Sequence, residues 1–248
     1  MQVLVLAAGY ATRLYPLTLN QPKPLLEVAG RPMLEHVVEK VGTIPGVDEW
    51  LIVTNQKFAG HFERWSDEYR KKFPEFRCQV FNDGSTSDAD KLGAIGDINF
   101  VISQGAVKGD LIVIAGDNLF SESLEDFGHH CQKVKGPVLG VYDIGSLEEI
   151  KKYSSIVTDD QGTIVSFEEK PQDPKSTLLG IALYYYPTAV VELLQTYIKE
   201  GNNPDQPGRF VQWLYPRLPV HTWKVPGIWY DIGSKETLEE ANRIFKDR

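Results

Sequence analysis

Short, continuous apolar runs recur along this chain, at residues 3–6, 51–53, 80–81, 111–115 and 138–141, and they constrain its fold more than any other feature. Each is too short for a helix and rich in Val, Ile and Leu, the composition of strands buried on both faces. Between them lie stripes of helical period. Leu34, Val37, Val38 and Val41 form one, ended by Gly42, and Phe58, Phe62, Trp65 and Tyr69 form another. Strands alternating with such helices require a largely parallel sheet covered on both sides.

The texture changes after about residue 150. Residues 156–158 and 163–167 flank Asp159-Asp160-Gln161-Gly162, which reads as a β-hairpin with Gly162 supplying the positive φ. A further strand at residues 178–185 precedes a helix opened by Pro187 and closed by Gly201. Residues 201–208 read as a surface loop, residues 221–225 as a last strand, and Ser234 as the cap of a final helix carrying Leu238, Ala241, Ile244 and Phe245 on one side. There is no internal repeat, low-complexity tract or separating linker. The expectation is a single α/β domain over 1–248, whose second half adds an antiparallel layer beside the main sheet.

Charge narrows the function classes. The chain has 26 Lys plus Arg against 34 Asp plus Glu, a net −8, which argues against a nucleic-acid binder that tracks phosphates with dense cations. The apolar stretch at residues 3–8 is far short of a membrane span, and no basic segment precedes it as in a signal peptide, so a cytoplasmic protein without membrane partners is expected. Cys78 and Cys131 have no ligand-type neighbours at metal-site spacing and read as buried small hydrophobes.

The chemistry concentrates in Leu6-Ala7-Ala8-Gly9-Tyr10-Ala11-Thr12-Arg13-Leu14, followed by Pro16-Leu17-Thr18 and Pro22-Lys23-Pro24-Leu25. A turn of small residues leaving a first strand lets backbone N–H groups approach phosphates. It is not the dinucleotide fingerprint, because Ala11 and Leu14 stand where the later glycines of G-x-G-x-x-G belong. Leu14 likewise occupies the second glycine position of a Walker loop.

Residues 6–32, LAAGYATRLYPLTLNQPKPLLEVAGRP, closely resemble the signature of the sugar-1-phosphate nucleotidyltransferases, the family that includes glucose-1-phosphate thymidylyltransferase. Gly116-Asp117-Asn118, Glu168-Glu169-Lys170-Pro171 and Trp229-Tyr230-Asp231-Ile232-Gly233-Ser234 follow in the order that family requires. The resemblance implies a Rossmann-like three-layer sandwich. A nucleotide-binding half would occupy about 1–120 and a sugar-phosphate half about 121–248. It implies transfer of a nucleotidyl group from an NTP to a sugar 1-phosphate, with release of pyrophosphate.

Such a reaction brings two polyanions together, so charge neutralisation and alignment are the main tasks. By resemblance, Arg13 holds the β and γ phosphates and Lys23 the reacting α phosphate, and these two are the catalytic candidates. Nucleotide contacts fall to Leu6, Ala8, Gly9, Thr12, Arg13 and Lys23, and on the base side to Asp90, Leu92 and Gly93. Asn118, Glu169, Lys170 and Gly180 would meet the sugar phosphate, with Lys170 on its phosphate. Asp117 and Asp231 match the family's ligands for Mg2+. No general base is assigned, because a sugar phosphate with a second pKa near ~6 is already largely dianionic. The five histidines gain no role. Taken singly, Arg13 reads as a surface ion-pair residue, Lys23 as a solvated loop residue, Asp117 as a helix cap and Asp231 as a turn former. Their joint order favours the enzyme.

Two segments depart from the family pattern. Where relatives line the nucleobase with a segment like E-P-L-G-T-A-G, this chain has Asp90-Lys91-Leu92-Gly93-Ala94-Ile95-Gly96-Asp97. Tyr153-Ser154-Ser155-Ile156 stands where many relatives have an aromatic residue followed by Gly-Val-Val. The expected donor is dTTP or UTP and the expected acceptor glucose 1-phosphate. The alternatives are a cytidylyltransferase acting on a sugar or amino-alcohol phosphate, and a non-catalytic nucleotide-sugar sensor. No acetyltransferase domain or C-terminal allosteric extension is expected, and a homo-oligomer remains open.

Overall fold

The computed structural model describes residues 1–246. In chain order the strands are β1 (Gln2–Leu6), β2 (Glu27–Val28), β3 (Arg31–Pro32), β4 (Glu49–Thr54), β5 (Cys78–Asn82), β6 (Leu111–Ala115) and β7 (Asn118–Phe120). They continue with β8 (Val138–Asp143), β9 (Ser154–Thr158), β10 (Ile164–Glu169), β11 (Leu178–Tyr186), β12 (His221–Lys224) and β13 (Trp229–Asp231). A seven-stranded sheet in the order β12-β8-β11-β6-β1-β4-β5 forms the middle layer. Within it β11 alone runs against its neighbours, β6 and β8.

The period-2 pattern of the apolar runs explains the three layers. On β1, Val3 and Val5 face one core while Leu4 faces the other, and on β6, Ile112 and Ile114 oppose Leu111 and Val113. The first core packs on the helices Met33–Val41, Ala59–Lys72 and Glu125–Val134, through Val37, Phe62 and Phe127. The second packs on Ala94–Ser103, Thr188–Lys199 and Gly208–Leu214, through Ile98, Leu194 and Phe210. Burying each such side chain contributes about 1.5–3 kcal/mol. Cys131 lies in the first core and Cys78 is half-buried. No helix among the described residues is long and apolar enough to cross a membrane.

The mostly parallel mixed sheet with helices on both faces is the architecture expected, and the hairpin forms as the β9–β10 ribbon. One placement differs. The strand at 178–186 does not stay in the antiparallel layer but enters the central sheet between β6 and β8. Its physical reason is burial: residues 183–186 are buried without a break, so this stretch needs cover on both faces.

Chain order places the site. From β1 the chain builds β4 and β5 to one side, then returns to set β6 on the other. This is a topological switch point, and the crevice beyond the carboxyl ends of such strands is where open α/β sheets receive ligands. A third, smaller core of Leu14, Val28, Leu119, Ile232 and Phe245 docks the helix Lys235–Ile244 beside that crevice. The helix begins with a capping box between Ser234 and Thr237.

The 201–208 loop closes the amino end of the helix Ala94–Ser103. The Ala94 and Ile95 N–H groups donate to the carbonyls of Asp205 (2.9 Å) and Pro204 (2.8 Å). That approach requires Gly93: at φ +78, a Cβ there would sit 2.6 Å from Asp205 Cα. Gly93→Ala is expected to destabilise the fold by about 2 kcal/mol or more, read from the urea midpoint. Gly105→Ala, at φ +69 but with no atom within 4 Å of its Cβ, is expected to cost clearly less. Equal losses would show that the contact with Asp205 does not matter.

Candidate active site

The turn after β1 is held by side chains that take its carbonyls. Thr54 Oγ1 donates to Ala7 O (3.2 Å), Asn55 Nδ2 to Ala8 O (2.8 Å) and Thr18 Oγ1 to Ala11 O (2.8 Å). All three donors are fully buried. With the carbonyls fixed from behind, the N–H groups of Gly9, Tyr10 and Ala11 have no acceptor among the described residues. Consecutive free amides of this kind form an anion nest. Ala11 adopts φ 46, ψ 45, the left-handed conformation that costs a non-glycine residue about 1–2 kcal/mol. The letters thus lack the second glycine of a phosphate turn while the backbone takes its shape. The space where a Cβ of Gly9 would project is free of protein atoms.

At the end of β6, Gly116 lets the loop carrying Lys23 come close. A Cβ on Gly116 would lie 2.9 Å from Pro24 Cγ and 3.1 Å from Val5 Cγ1. Lys23 Nζ consequently reaches Asp117 Oδ2 at 2.5 Å and Asp231 Oδ1 at 3.6 Å. Asp231 gets there because β13 pairs with β7 in a register that sets Asp231 opposite Asn118. Burial opposes the charge on Lys23, but Asp117 and Asp231 outweigh it, and the ammonium's pKa is raised. Asp231 keeps 42% of its side chain exposed yet lies within the concave cleft, where desolvation and then the Asp117 charge raise its pKa against the pull of Lys23.

Two recesses meet at this triad. The first, of about 250 Å³, is lined by Leu6, Gly9, Arg13, Lys23 and Asp117 among others. The second, of about 410 Å³, has walls that include Ser154, Glu169, Gly180, Tyr184 and Asp231. Asp117 faces one and Asp231 the other, with Lys23 between their carboxylates. Residues as distant in sequence as Arg13, Lys23, Asp117 and Asp231 are therefore brought into one cleft.

Other residues singled out by the sequence are distributed less evenly. Ala8 is buried in the turn and Thr12 is exposed on it. Asp90 is exposed and turned into its own loop, accepting from Thr86 N (3.0 Å) and Ser87 N (2.7 Å). The Thr86 N–H, then the hydroxyls of Ser87 and Thr86, hold its carboxyl well below the usual range. Leu92 is exposed, and Gly93 is tied to the packing of Asp205. Asn118 is buried, with its amide already engaged: Nδ2 donates to Ala182 O (2.9 Å) and Oδ1 accepts from Trp229 Nε1 (3.2 Å). It braces the two carboxylate-bearing segments and does not line either recess. Lys170 is exposed in the left-handed region at φ 48 and also lies outside the lining. The cation in that wall is Lys152, paired with Glu149 at 2.8 Å. Thr18 lies in the quoted motif, but Lys152, Thr54 and Asn55 carry no signal in the sequence, because an isolated lysine or a buried hydroxyl or amide has no characteristic spacing. His36, whose Nε2 meets Val28 O at 2.8 Å, is a packed core histidine.

Over residues 2–248 the sequence matches the Nucleotidyl transferase family. The chain belongs to that family. It is 28% identical over 249 residues to the bifunctional protein GlmU of Methanocaldococcus jannaschii, covering all of this chain and 55% of that protein. It thus spans about half the length of that relative. It is 29% identical over 248 residues to the UTP–glucose-1-phosphate uridylyltransferase AglF of Haloferax volcanii, covering 100% of this chain and 97% of the relative. In fold it superposes on a UDP-glucose pyrophosphorylase solved with UDP-glucose, with a TM-score of 0.82 at 23% identity, over 100% of this chain and 99% of that one.

Beside the turn, Asp97 is 6% exposed and its Oδ1 finds no donor. Burial, and then the neighbouring Asp83 carboxylate, push its pKa up to about 8. An acid whose folded pKa lies above its unfolded value binds more protons folded than unfolded, so stability falls as pH rises from about 4 towards 8. Asp97→Asn, neutral throughout, is expected to flatten the loss of melting temperature across that window. A variant that declines as steeply as the parent would show that Asp97 is ionised in the fold.

Proposed function

We propose that this protein transfers a nucleotidyl group from an NTP, UTP or dTTP in the first instance, to a sugar 1-phosphate. A phosphate oxygen of the sugar attacks the α phosphorus as the bond from that phosphorus to the β-phosphate bridging oxygen breaks. The products are an NDP-sugar and pyrophosphate. The observation that carries this reading is the meeting of two recesses at Lys23, one beside the free turn amides and the other, of about 410 Å³, with Lys152, Ser154 and Glu169 in a mixed wall. A uridylyltransferase relative of nearly the same length supports the choice of donor and of glucose 1-phosphate as a first acceptor to test.

In this scheme the turn amides and Arg13 hold the β and γ phosphates, and Lys23 meets the α phosphate. Arg suits the first task because its planar fork engages two oxygens, and Lys the second because its compact charge can follow the reacting group. Lys23 would leave Asp117 to do so. Lys152 and Lys170 would share the acceptor phosphate, and Glu169 would accept from sugar hydroxyls. Asn118 acts as a positioning residue. No side chain need remove a proton, as the attacking phosphate is ionised at neutral pH.

Mg2+ is part of the proposal. It commonly takes one or two carboxylates from the protein and completes its shell with water and substrate phosphates. No cluster of three or more ligating side chains exists among the described residues, but Asp117 and Asp231 fit this smaller donor set and would hold the ion. When bound, it would supply charge neutralisation at the α phosphate and the departing pyrophosphate.

Pyrophosphate release, followed with each NTP, a panel of sugar 1-phosphates and Mg2+, tests the reading; silence with every pair would refute it. Asp117→Asn and Asp231→Asn are each expected to lower kcat by at least about a hundredfold with melting little changed. Unaltered rates would remove the two acids from the chemistry. Lys152→Ala and Lys170→Ala are expected to raise KM for the sugar phosphate more than for the NTP. If either raises both equally, that lysine does not hold the acceptor.

A further inference from the structure

The two carboxylates that would hold a divalent cation are already bonded to an ammonium. Lys23 Nζ lies 2.5 Å from Asp117 Oδ2 and 3.6 Å from Asp231 Oδ1, and its side chain is only 14% exposed. Mg2+ approaches its oxygen ligands to about 2.0–2.1 Å, so an ion shared by the two acids needs the space between them that Nζ fills. Ammonium and ion exclude one another there, by size and by like charge.

The backbone does not move the lysine aside. Pro22 and Pro24 flank it in a 3-10 turn, closed by Leu25 N on Pro22 O (3.0 Å) and Leu26 N on Lys23 O (3.0 Å). Pro24 packs on Gly116, where a Cβ would come within 2.9 Å of its Cγ. The ammonium therefore leaves by rotation of its own side chain, and it needs another anion to receive it. Among the described residues Asp117 is the one acid lining the first recess, which otherwise offers Arg13 and the turn. A phosphate entering that recess supplies the missing anion.

We infer that Lys23 gates the metal: it holds Asp117 and Asp231 against a divalent cation and yields them only when the phosphates of the donor nucleotide draw its ammonium away, so that metal and nucleotide enter as a pair. This rests on the reading of Asp117 and Asp231 as the acids that hold Mg2+.

The physical reason is the charge that the cation meets. Two carboxylates paired with one ammonium leave a single negative charge between them, and the affinity of such sites follows the charge count of their ligands. With the ammonium on the α phosphate, both acids face the cation. Coupling of this sort is reciprocal, so the metal tightens the nucleotide by the factor by which the nucleotide tightens the metal.

The test is Mn2+ binding to the protein without nucleotide, followed by electron paramagnetic resonance, since Mn2+ shares the octahedral oxygen chemistry of Mg2+. The unaltered protein is expected to bind it weakly. Lys23→Met, similar in length but uncharged, is expected to bind Mn2+ at least about tenfold more tightly, and Lys23→Arg to stay as weak as the parent. The gain should vanish in the double variant Lys23→Met, Asp117→Asn. Equal affinity in the unaltered protein and a folded Lys23→Met would overturn the inference, as would a gain in Lys23→Arg as large as that in Lys23→Met. Should Lys23→Met not fold, the unaltered protein decides alone: Mn2+ held as tightly without UTP as with it sinks the idea. Tight binding by the unaltered protein without nucleotide removes this inference and leaves Asp117 and Asp231 as metal ligands, whereas no Mn2+ bound by any variant, with or without UTP, removes both.

Discussion

One ammonium group between two carboxylates organises this molecule's cleft. Lys23 draws Asp117 and Asp231 together, and with them the loop at 22–25, the end of β6 and the β13 ribbon. Neither acid would be stable there without it, because two carboxylates in a concave, partly desolvated site repel one another and lose hydration. The lysine is equally dependent on the acids, since burial alone would lower its pKa. Such a cluster holds a surplus of negative charge in the absence of ligand, and a cation arriving with phosphates would answer it.

Everything around the cluster serves its geometry. Gly116 permits the contact of Pro24 with the β6 end, Asn118 spans from β11 to Trp229, and the third core presses the last helix against the ribbon that bears Asp231. In the turn after β1, Thr18, Thr54 and Asn55 fix three carbonyls so that neighbouring amides stay free. These bonds are made before any ligand arrives. A site whose dipoles are already oriented has no reorganisation cost when charge develops in it.

The second recess is walled in part by β11. Gly180, Ala182 and Tyr184 of β11 line it, and residues of the β9–β10 ribbon and the start of the helix Gly208–Leu214 complete its wall. Gly180 is required for packing as well, since a Cβ there would approach Ile156 Cδ1 to 2.9 Å. The two recesses differ in lining, one with Gly9, Arg13 and Lys23, the other with Lys152, Glu169 and the small residues Gly180 and Ala182.

The sequence by itself determined the layered α/β architecture, because two-sided burial leaves a mark in continuous apolar runs and helix stripes in their 3.6-residue spacing. It also determined most of the charged groups in the cleft, because Arg13, Lys23, Asp117 and Asp231 lie in segments with recognisable letters. Only the tertiary structure decided the reversed placement of β11, since a strand buried on both faces reads the same in either direction. It alone decided that Asn118 braces segments from behind the cleft, that Lys152 and not Lys170 stands in the wall of the second recess, and that Ala11 takes a left-handed turn. The reason is common to all of these: hydrogen-bond partners, cavity walls and backbone strain are relations between residues distant in the chain, and no local spacing encodes them.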